Sequence, residues 1–237
     1  MDKYVKVISS NDKKDDNHDK IIVTDRDDAL IELYPHFMSK KEATELFKEL
    51  EKIEGWKIRE VVTKGGMQFA SRLIASLVNP DSVNTDKTIM HYNPEDNDYS
   101  FFTPLLQKVH DRIKDLTHES FNYAYLNFYR DGNDYIGFHS DKEDNIEKGS
   151  TIASLSLGAS RDFVIRHIAD TKIAQAMLNN ENRLAALEAA KQSITLENGS
   201  LLLMKKSTQK VYHHGVPKRT KIKNGRINIT FRHVKEV

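Results

Sequence analysis

From Phe121 to Val237 the chain divides into short runs of strand-forming residues: "FNYAYLNFYR", "DYIGFHSD", "TIASLSLG", "DFVIRH", "SITLENGSLLLM", "KVYHHGV" and "GRINITFRHV". Strands this short and this many, joined by turns, pair antiparallel and predict a sandwich or jelly roll. One segment interrupts them. "IAQAMLNNENRLAALEAAKQ" is rich in Ala, Leu, Glu and Asn, and Leu184, Leu187, Lys191 and Ile194 fall at helical spacing. It predicts a helical insertion between two strands, near residues 168–196.

The amino-terminal half reads differently. Ser39 and Glu42 form an S-x-x-E capping box for a helix over "SKKEATELFKELEKI", whose Ala43, Leu46, Phe47, Leu50 and Ile53 share one apolar face. "TPLLQKVHDRIKDL" predicts a second helix, with Thr103 as cap and Pro104 at its first position. "ALIELYPHFM" and "WKIREVV" read as strands. The stretch from Thr63 to Ser100 carries Gly and Asn-Pro breaks with weak periodicity and reads as loops and short strands. "NDKKDDNHDK" is too polar to pack, so residues 1–26 read as a mobile tail with a short strand at "YVKVI".

Composition narrows the chemistry. The chain has no cysteine, which excludes disulfides, thiolate nucleophiles and cysteine-ligated metal, so any metal must sit on His, Asp or Glu. In "GFHSDKE", His139 and Asp141 are two apart, on one side of an extended chain and about 6–7 Å apart along it. "YHHGVP" supplies a third ligand. His213 and His214 face opposite ways on a strand, so only one of them can join the pair, closing a loop of 73 residues in the case of His214 (214 − 141). His, carboxylate and His on one side of a metal form the facial triad of non-heme Fe(II) oxygenases; zinc with a water in the open position is the rival.

Two polar rows accompany these residues. In "GRINITFRHV", Ile227, Ile229 and Phe231 share one face, and Arg226, Asn228, Thr230 and Arg232 the other. An inward arginine is costly unless it meets an anion, and its planar fork suits a carboxylate. The two arginines, about 20 Å apart on a straight strand, would grip opposite ends of a dicarboxylate, or one would grip it while the other holds a ligand or neighbour. In "FNYAYLNFYR", Tyr125, Asn127 and Tyr129 form the second row.

"NFYRDGNDYIGFHSDKE", "IASLSLGASRDFVIRH", "GSLLLM", "HHGVP" and "RINITFR" follow in order and at family spacing. Together they resemble the catalytic core of the AlkB family, Fe(II)- and 2-oxoglutarate-dependent dioxygenases that remove alkyl groups from nucleic-acid bases, and they lie nearest its DNA-repair branch. The resemblance covers residues 121–237 less the insertion. It implies an α+β fold, a double-stranded β-helix (jelly roll) core over 121–237, preceded by N-terminal helices and a nucleotide-recognition lid over 27–120. It implies His139, Asp141 and His214 as iron ligands, the family context selecting His214 over His213. Asn127, Tyr129, Arg226, Asn228 and Arg232 match its 2-oxoglutarate contacts. Glu143 falls at its acidic position near the target base, Arg72 in "SRLIASLVN" matches the lid arginine without the Tyr-Gly pair that follows in relatives, and Tyr92 in "MHYN" is the candidate for the base-stacking aromatic. The activity implied is oxidative demethylation of bases such as 1-methyladenine and 3-methylcytosine with O2 and 2-oxoglutarate, releasing aldehyde, succinate and CO2.

Basic and acidic residues nearly cancel, 36 against 35, so a charge argument must be local. No Asp or Glu occurs between Asn198 and Lys235, a stretch that holds Lys205, Lys206, Lys210, Lys218, Arg219, Lys221, Lys223, Arg226, Arg232 and Lys235. A polyanion, DNA (single- or double-stranded) or RNA, is the partner expected. Three other readings stay in play: an RNA demethylase, a protein or small-molecule hydroxylase on the same core, and a non-catalytic nucleic-acid-binding module. The opening residues lack an apolar signal region, and no apolar run approaches the ~18 residues of a membrane span. The expectation is a monomer inside the cell, in the nucleus or cytoplasm, with no membrane contact.

Overall fold

A computed structural model describes residues 19–63, 66–82, 99–141 and 145–235. Its strands are β1 (Ile21–Arg26), β2 (Ala29–Tyr34), β3 (Lys57–Thr63), β4 (Gly66–Val78), β5 (Ser100–Phe101), β6 (Tyr123–Tyr129), β7 (Ile136–His139), β8 (Ile152–Gly158), β9 (Arg161–His167), β10 (Lys191–Leu196), β11 (Leu201–Lys206), β12 (Tyr212–Val216) and β13 (Arg226–Arg232). Its helices are α1 (Lys40–Leu50), α2 (Pro104–Thr117), α3 (Ile168–Gln175), α4 (Asn180–Ala189) and a short α5 (Thr208–Val211).

Two antiparallel sheets result. The larger runs β1-β2-β11-β8-β13-β6-β4-β3, with β5 added parallel to β4; the smaller runs β10-β9-β12-β7. The period-two pattern decides what each face meets. On β13, Ile227, Ile229 and Phe231 pack with Leu46 and Leu50 of α1 and Leu106, Val109 and Ile113 of α2 in one apolar cluster. The opposite row, Arg226, Asn228, Thr230 and Arg232, lines a cavity shared with residues of the smaller sheet. Helices, large sheet, cavity and small sheet are thus stacked in that order, and a second cluster joins Ile152, Leu202 and Met204 to Phe163, Ile165 and Val216 beside the cavity. This is the jelly-roll arrangement expected.

Both helix starts follow their sequence signals. Ser39 accepts from the Glu42 N–H while Glu42 accepts from the Ser39 N–H. Thr103 caps α2, with Pro104 in its first turn. Truncating a fully buried α1 residue such as Leu46 to Ala would cost about 2–5 kcal/mol.

Three expectations need correction. The stretch read as loops and short strands holds one long strand, β4, of thirteen residues, paired with β3 and β6. Ile74 to Val78 are buried on both faces, one under α1 and α2 and one beside Tyr123 and Tyr125, so no alternation marks the strand. Residues 21–26, assigned to the tail, form β1; Asp27 and Asp28 at φ 53° and 60° supply the left-handed turn of a two-residue hairpin into β2. The helical insertion ends at α4, since Lys191–Leu196 is β10, where Ile194 and Leu196 alternate inward between exposed Ser193 and Thr195. The strand proposed at "YVKVI" lies outside the described residues.

One close approach fixes the loop between β12 and β13. Gly132 N–H donates to the Ile222 carbonyl (2.9 Å) and the Arg219 N–H to the Gly132 carbonyl (2.7 Å). A Cβ on Gly132 would lie 1.7 Å from the Arg219 carbonyl oxygen. Behind this contact the buried Arg161 guanidinium donates to the carbonyls of Asp131, Asp134 and Pro217 at 2.7–3.1 Å.

Candidate functional site

β7 and β12 are neighbours in the small sheet, and their register places His139 directly opposite His214. The two rings lie 4.4 Å apart, centroid to centroid. Asp141 follows β7, and a ligand atom from each of the three residues falls within 4.8 Å of the others. His139 Nδ1 sits 2.9 Å from the Gly137 carbonyl, which takes its proton and leaves Nε2 as the lone-pair nitrogen. Phe163 stacks on His214 at 5.2 Å. His213 lies on the other face of β12, across from Arg166.

The electrostatics suit a divalent cation. Burial pushes the His214 imidazole down to about 4 and also lowers that of His139, so both are neutral at pH 7. Burial alone would raise the Asp141 carboxyl, but the neighbouring Arg232 guanidinium leads the charges that outweigh it and hold it below its ordinary value. Arg232 Nη2 donates to Asp141 Oδ1 at 2.6 Å, and Asp141 Oδ2 lies 3.9 Å from His214 Nε2. Gln209 in α5 accepts from the Asp141 N–H (2.9 Å), tying the segment that leads to His214 to the carboxylate ligand. Two neutral imidazoles and one carboxylate, clustered and already oriented, are the donor set that Fe(II) takes.

The ligand cluster opens into a cavity of about 580 Å³. Arg226 lies on its wall, 1% exposed, with Nη2 donating to Ser156 Oγ (2.9 Å) and its guanidinium 5.3 Å from the centre of the Tyr129 ring. Its Nε and Nη1 have no partner among the described residues. Burial pushes this guanidinium down to about 10, still charged at neutral pH. A buried cation with open donors and no carboxylate beside it fits one end of a dicarboxylate. Asn127 and Asn228 face each other in register on β6 and β13. Arg72 reaches in from β4, its Nε donating to Asn127 Oδ1 at 2.6 Å.

Comparison with known families agrees with this geometry. The family model described as the 2OG-Fe(II) oxygenase superfamily matches residues 31–232. The chain belongs to the 2OG-Fe(II) oxygenase superfamily. Among this oxygenase's relatives is the human (Homo sapiens) protein named DNA oxidative demethylase ALKBH2, 36% identical over 131 residues, 55% of this chain and 46% of that one. Another is the mouse (Mus musculus) protein named alpha-ketoglutarate-dependent dioxygenase alkB homolog 3, 32% identical over 206 residues, 85% of this chain and 65% of that one. The chain spans about half the length of the ALKBH2 relatives it matches. A solved structure titled "The structure of OsALKBH1" superposes with a TM-score of 0.56, covering 90% of this chain and 99% of that one at 18% identity, a likeness of fold. These names accord with the AlkB resemblance. The superfamily and the His139–Asp141–His214 cluster together imply Fe(II) and 2-oxoglutarate.

Of the residues singled out in the sequence, the oxygenase fold gathers His139, Asp141, His214, Asn127, Tyr129, Arg226, Asn228, Arg232 and Arg72 around one cavity. Glu143 and Tyr92 lie outside the described residues. Sequence reasoning missed Phe69, which lines the cavity rim while 70% exposed, and Gln209. Phe69 was hidden because β4 was not recognised as one long strand. Among the described residues no helix is long and apolar enough to cross a membrane.

Proposed function

We propose that this oxygenase removes N-alkyl groups from nucleic-acid bases, DNA foremost. The observation that carries the reading is one continuous cavity, with the ligand cluster and the open donors of Arg226 inside and an exposed aromatic, Phe69, at its rim. Relatives named as DNA oxidative demethylases support the same substrate class.

His139, Asp141 and His214 would hold Fe(II), and Arg226, Tyr129 and Asn127 the dicarboxylate. When bound, the metal and 2-oxoglutarate supply the oxidation of a C–H bond by O2, with aldehyde, succinate and CO2 as products. The chain does the rest. Arg232 keeps Asp141 ionised and aimed. Gly137 fixes the His139 tautomer. The apolar wall of Phe163 and Met204 limits water at the ligands. A base inside a duplex must leave the stack to enter. The β3–β4 hairpin, with Phe69 (70% exposed) and Met67 (68% exposed) on it, serves as the lid; Phe69 offers the extruded base a stacking face, worth about 1–3 kcal/mol. Glu143 is proposed to favour cationic lesions by its charge. The setting is intracellular, nucleus or cytoplasm, and the protein acts as a monomer.

Aldehyde release from methylated single-stranded DNA, duplex DNA and RNA, compared side by side, tests this. Release from DNA supports the proposal, and release from RNA alone would make the protein an RNA demethylase. Turnover of 2-oxoglutarate without release from any of them would favour a protein or small-molecule hydroxylase. No turnover together with tight nucleic-acid binding would favour a binding module.

A further inference from the structure

Two asparagines face each other across the cavity wall, and their amides are not equivalent. Asn228 Nδ2 donates to Ser154 Oγ (2.8 Å) and to the Leu155 carbonyl (3.1 Å), while its Oδ1 accepts from Thr230 Oγ1 (3.3 Å). Both of its amide protons are committed to the wall. Asn127 is the reverse case. Its Oδ1 is taken by Arg72 Nε at 2.6 Å, and its Nδ2 has no hydrogen bond among the described residues.

The partner decides which way the Asn127 amide points. A guanidinium has only donors, so it accepts an amide oxygen as neighbour and rejects an amide N–H₂. Arg72 therefore turns Oδ1 toward itself and Nδ2 away. Without it the amide could turn over and set its oxygen against an anionic ligand, exchanging a hydrogen bond for a repulsion.

Arg72 is itself held in place. It follows Ser71, whose Oγ donates to the Tyr135 carbonyl (2.9 Å) and accepts from the Tyr135 N–H (3.0 Å). Arg130 Nη2 donates to the Ser71 carbonyl at 2.6 Å. These contacts fix β4 to the loop that leads into β7 and His139.

We propose that Arg72 is a positioning residue for the co-substrate, holding the Asn127 amide with its N–H₂ toward bound 2-oxoglutarate, and is not a contact for the nucleic acid. The proposal rests on the reading of the cavity as a 2-oxoglutarate site. It also links the substrate hairpin to the co-substrate, because Phe69 and Arg72 lie on one strand, β4, and Arg72 reaches Asn127 on β6.

The test is calorimetric titration of 2-oxoglutarate into the Mn(II)-loaded full chain. Arg72→Met should weaken binding about tenfold, the scale of one charge-assisted hydrogen bond. Arg72→Lys, still a donor-only partner, should recover most of the loss. Asn127→Ala should weaken binding too, and Arg72→Met added to it should cost nothing further, since the two act through one contact. Mn(II) affinity should stay constant throughout, which a general structural lesion would not give. Unchanged binding in Arg72→Met, or losses that multiply in the double variant, would overturn the assignment of Arg72 alone. Failure of the wild-type protein to bind 2-oxoglutarate would overturn the co-substrate reading, and this inference with it.

Discussion

Arg232 holds Asp141 in a buried ion pair: Nη2 and Oδ1 are 2.6 Å apart, and the side chains are 3% and 8% exposed. The resemblance matched Arg232 to 2-oxoglutarate; in the structure it lines the cavity while its Nη2 holds Asp141. Arg232→Leu leaves a buried carboxylate without its counter-ion, which costs about 3–5 kcal/mol, on the order of 10 °C in melting temperature for a chain this size. Saturating Mn(II) should restore part of that loss, and chelation should remove it again. A melting temperature equal to the wild type's without metal would show that the pair contributes nothing.

The neighbouring histidines should separate cleanly. His214→Ala should abolish Mn(II) binding in a titration, and His213→Ala should leave it within a few-fold, because His213 points to the opposite face, toward Arg166. The reverse pattern would mean that the wrong neighbour stands in the cluster.

Arg226 carries a charge into the wall with two donors open. Adding 2-oxoglutarate should raise the melting temperature of the wild-type protein, and Arg226→Leu should abolish that rise. Arg226→Lys should keep only part of it, since an ammonium cannot offer a planar fork. Without ligand, Arg226→Leu should melt no lower than wild type, because it removes a buried charge that lacks an acidic partner. A normal ligand shift in Arg226→Leu would exclude this arginine as the anion anchor.

Glu32 on β2 governs an acid limb of stability. Burial alone would raise its carboxyl, but Lys20 at 2.8 Å and Lys205 at 2.7 Å outweigh burial and hold it below its ordinary 4.5. A depressed folded pKa means that the contribution is present above about pH 4.5 and is lost as pH falls through the lower folded value. Urea midpoints measured from pH 6 to pH 3 should fall less steeply in Glu32→Gln than in wild type. Parallel curves would remove Glu32 from the account.

The lysine loop after β12 supplies a salt test. Lys218, Lys221 and Lys223 are exposed, whereas Arg219 is already paired with Asp162 at 2.6 Å. Changing the three lysines to Gln should weaken binding to every nucleic-acid sequence alike and flatten the salt dependence by roughly one unit per lost phosphate contact. An unchanged slope would make the loop a solvated edge.

What the sequence disclosed and what it withheld divide along physical lines. β6 and β13 were legible because one face of each is apolar and the other polar, and because the residues doing chemistry share the polar face; β7 and β12 were legible through their histidines, His214 sharing its face with the buried Tyr212 and Val216. β4 was not, since burial on both faces erases alternation. β1 was masked by its charged neighbours, although two consecutive aspartates able to take positive φ were the cue for its turn. The pairing of Arg232 with Asp141, 91 residues apart, is set by how the large sheet faces the small one, and that of Arg72 with Asn127, 55 apart, by the pairing of β4 with β6. No local pattern encodes that.

The contact at Gly132 has a consequence for how such a chain can diverge. Lysines on the 218–223 loop are individually replaceable, since each stands in solvent. Position 132 is not, because any side chain there meets the Arg219 carbonyl and must push the loop outward. The same displacement would withdraw the Pro217 carbonyl from Arg161, whose guanidinium lies over the Tyr129 ring that Arg226 also contacts. A lineage could therefore retune its affinity for a polyanion residue by residue, but a single change at one glycine would unsettle the outer charge and the inner pocket together.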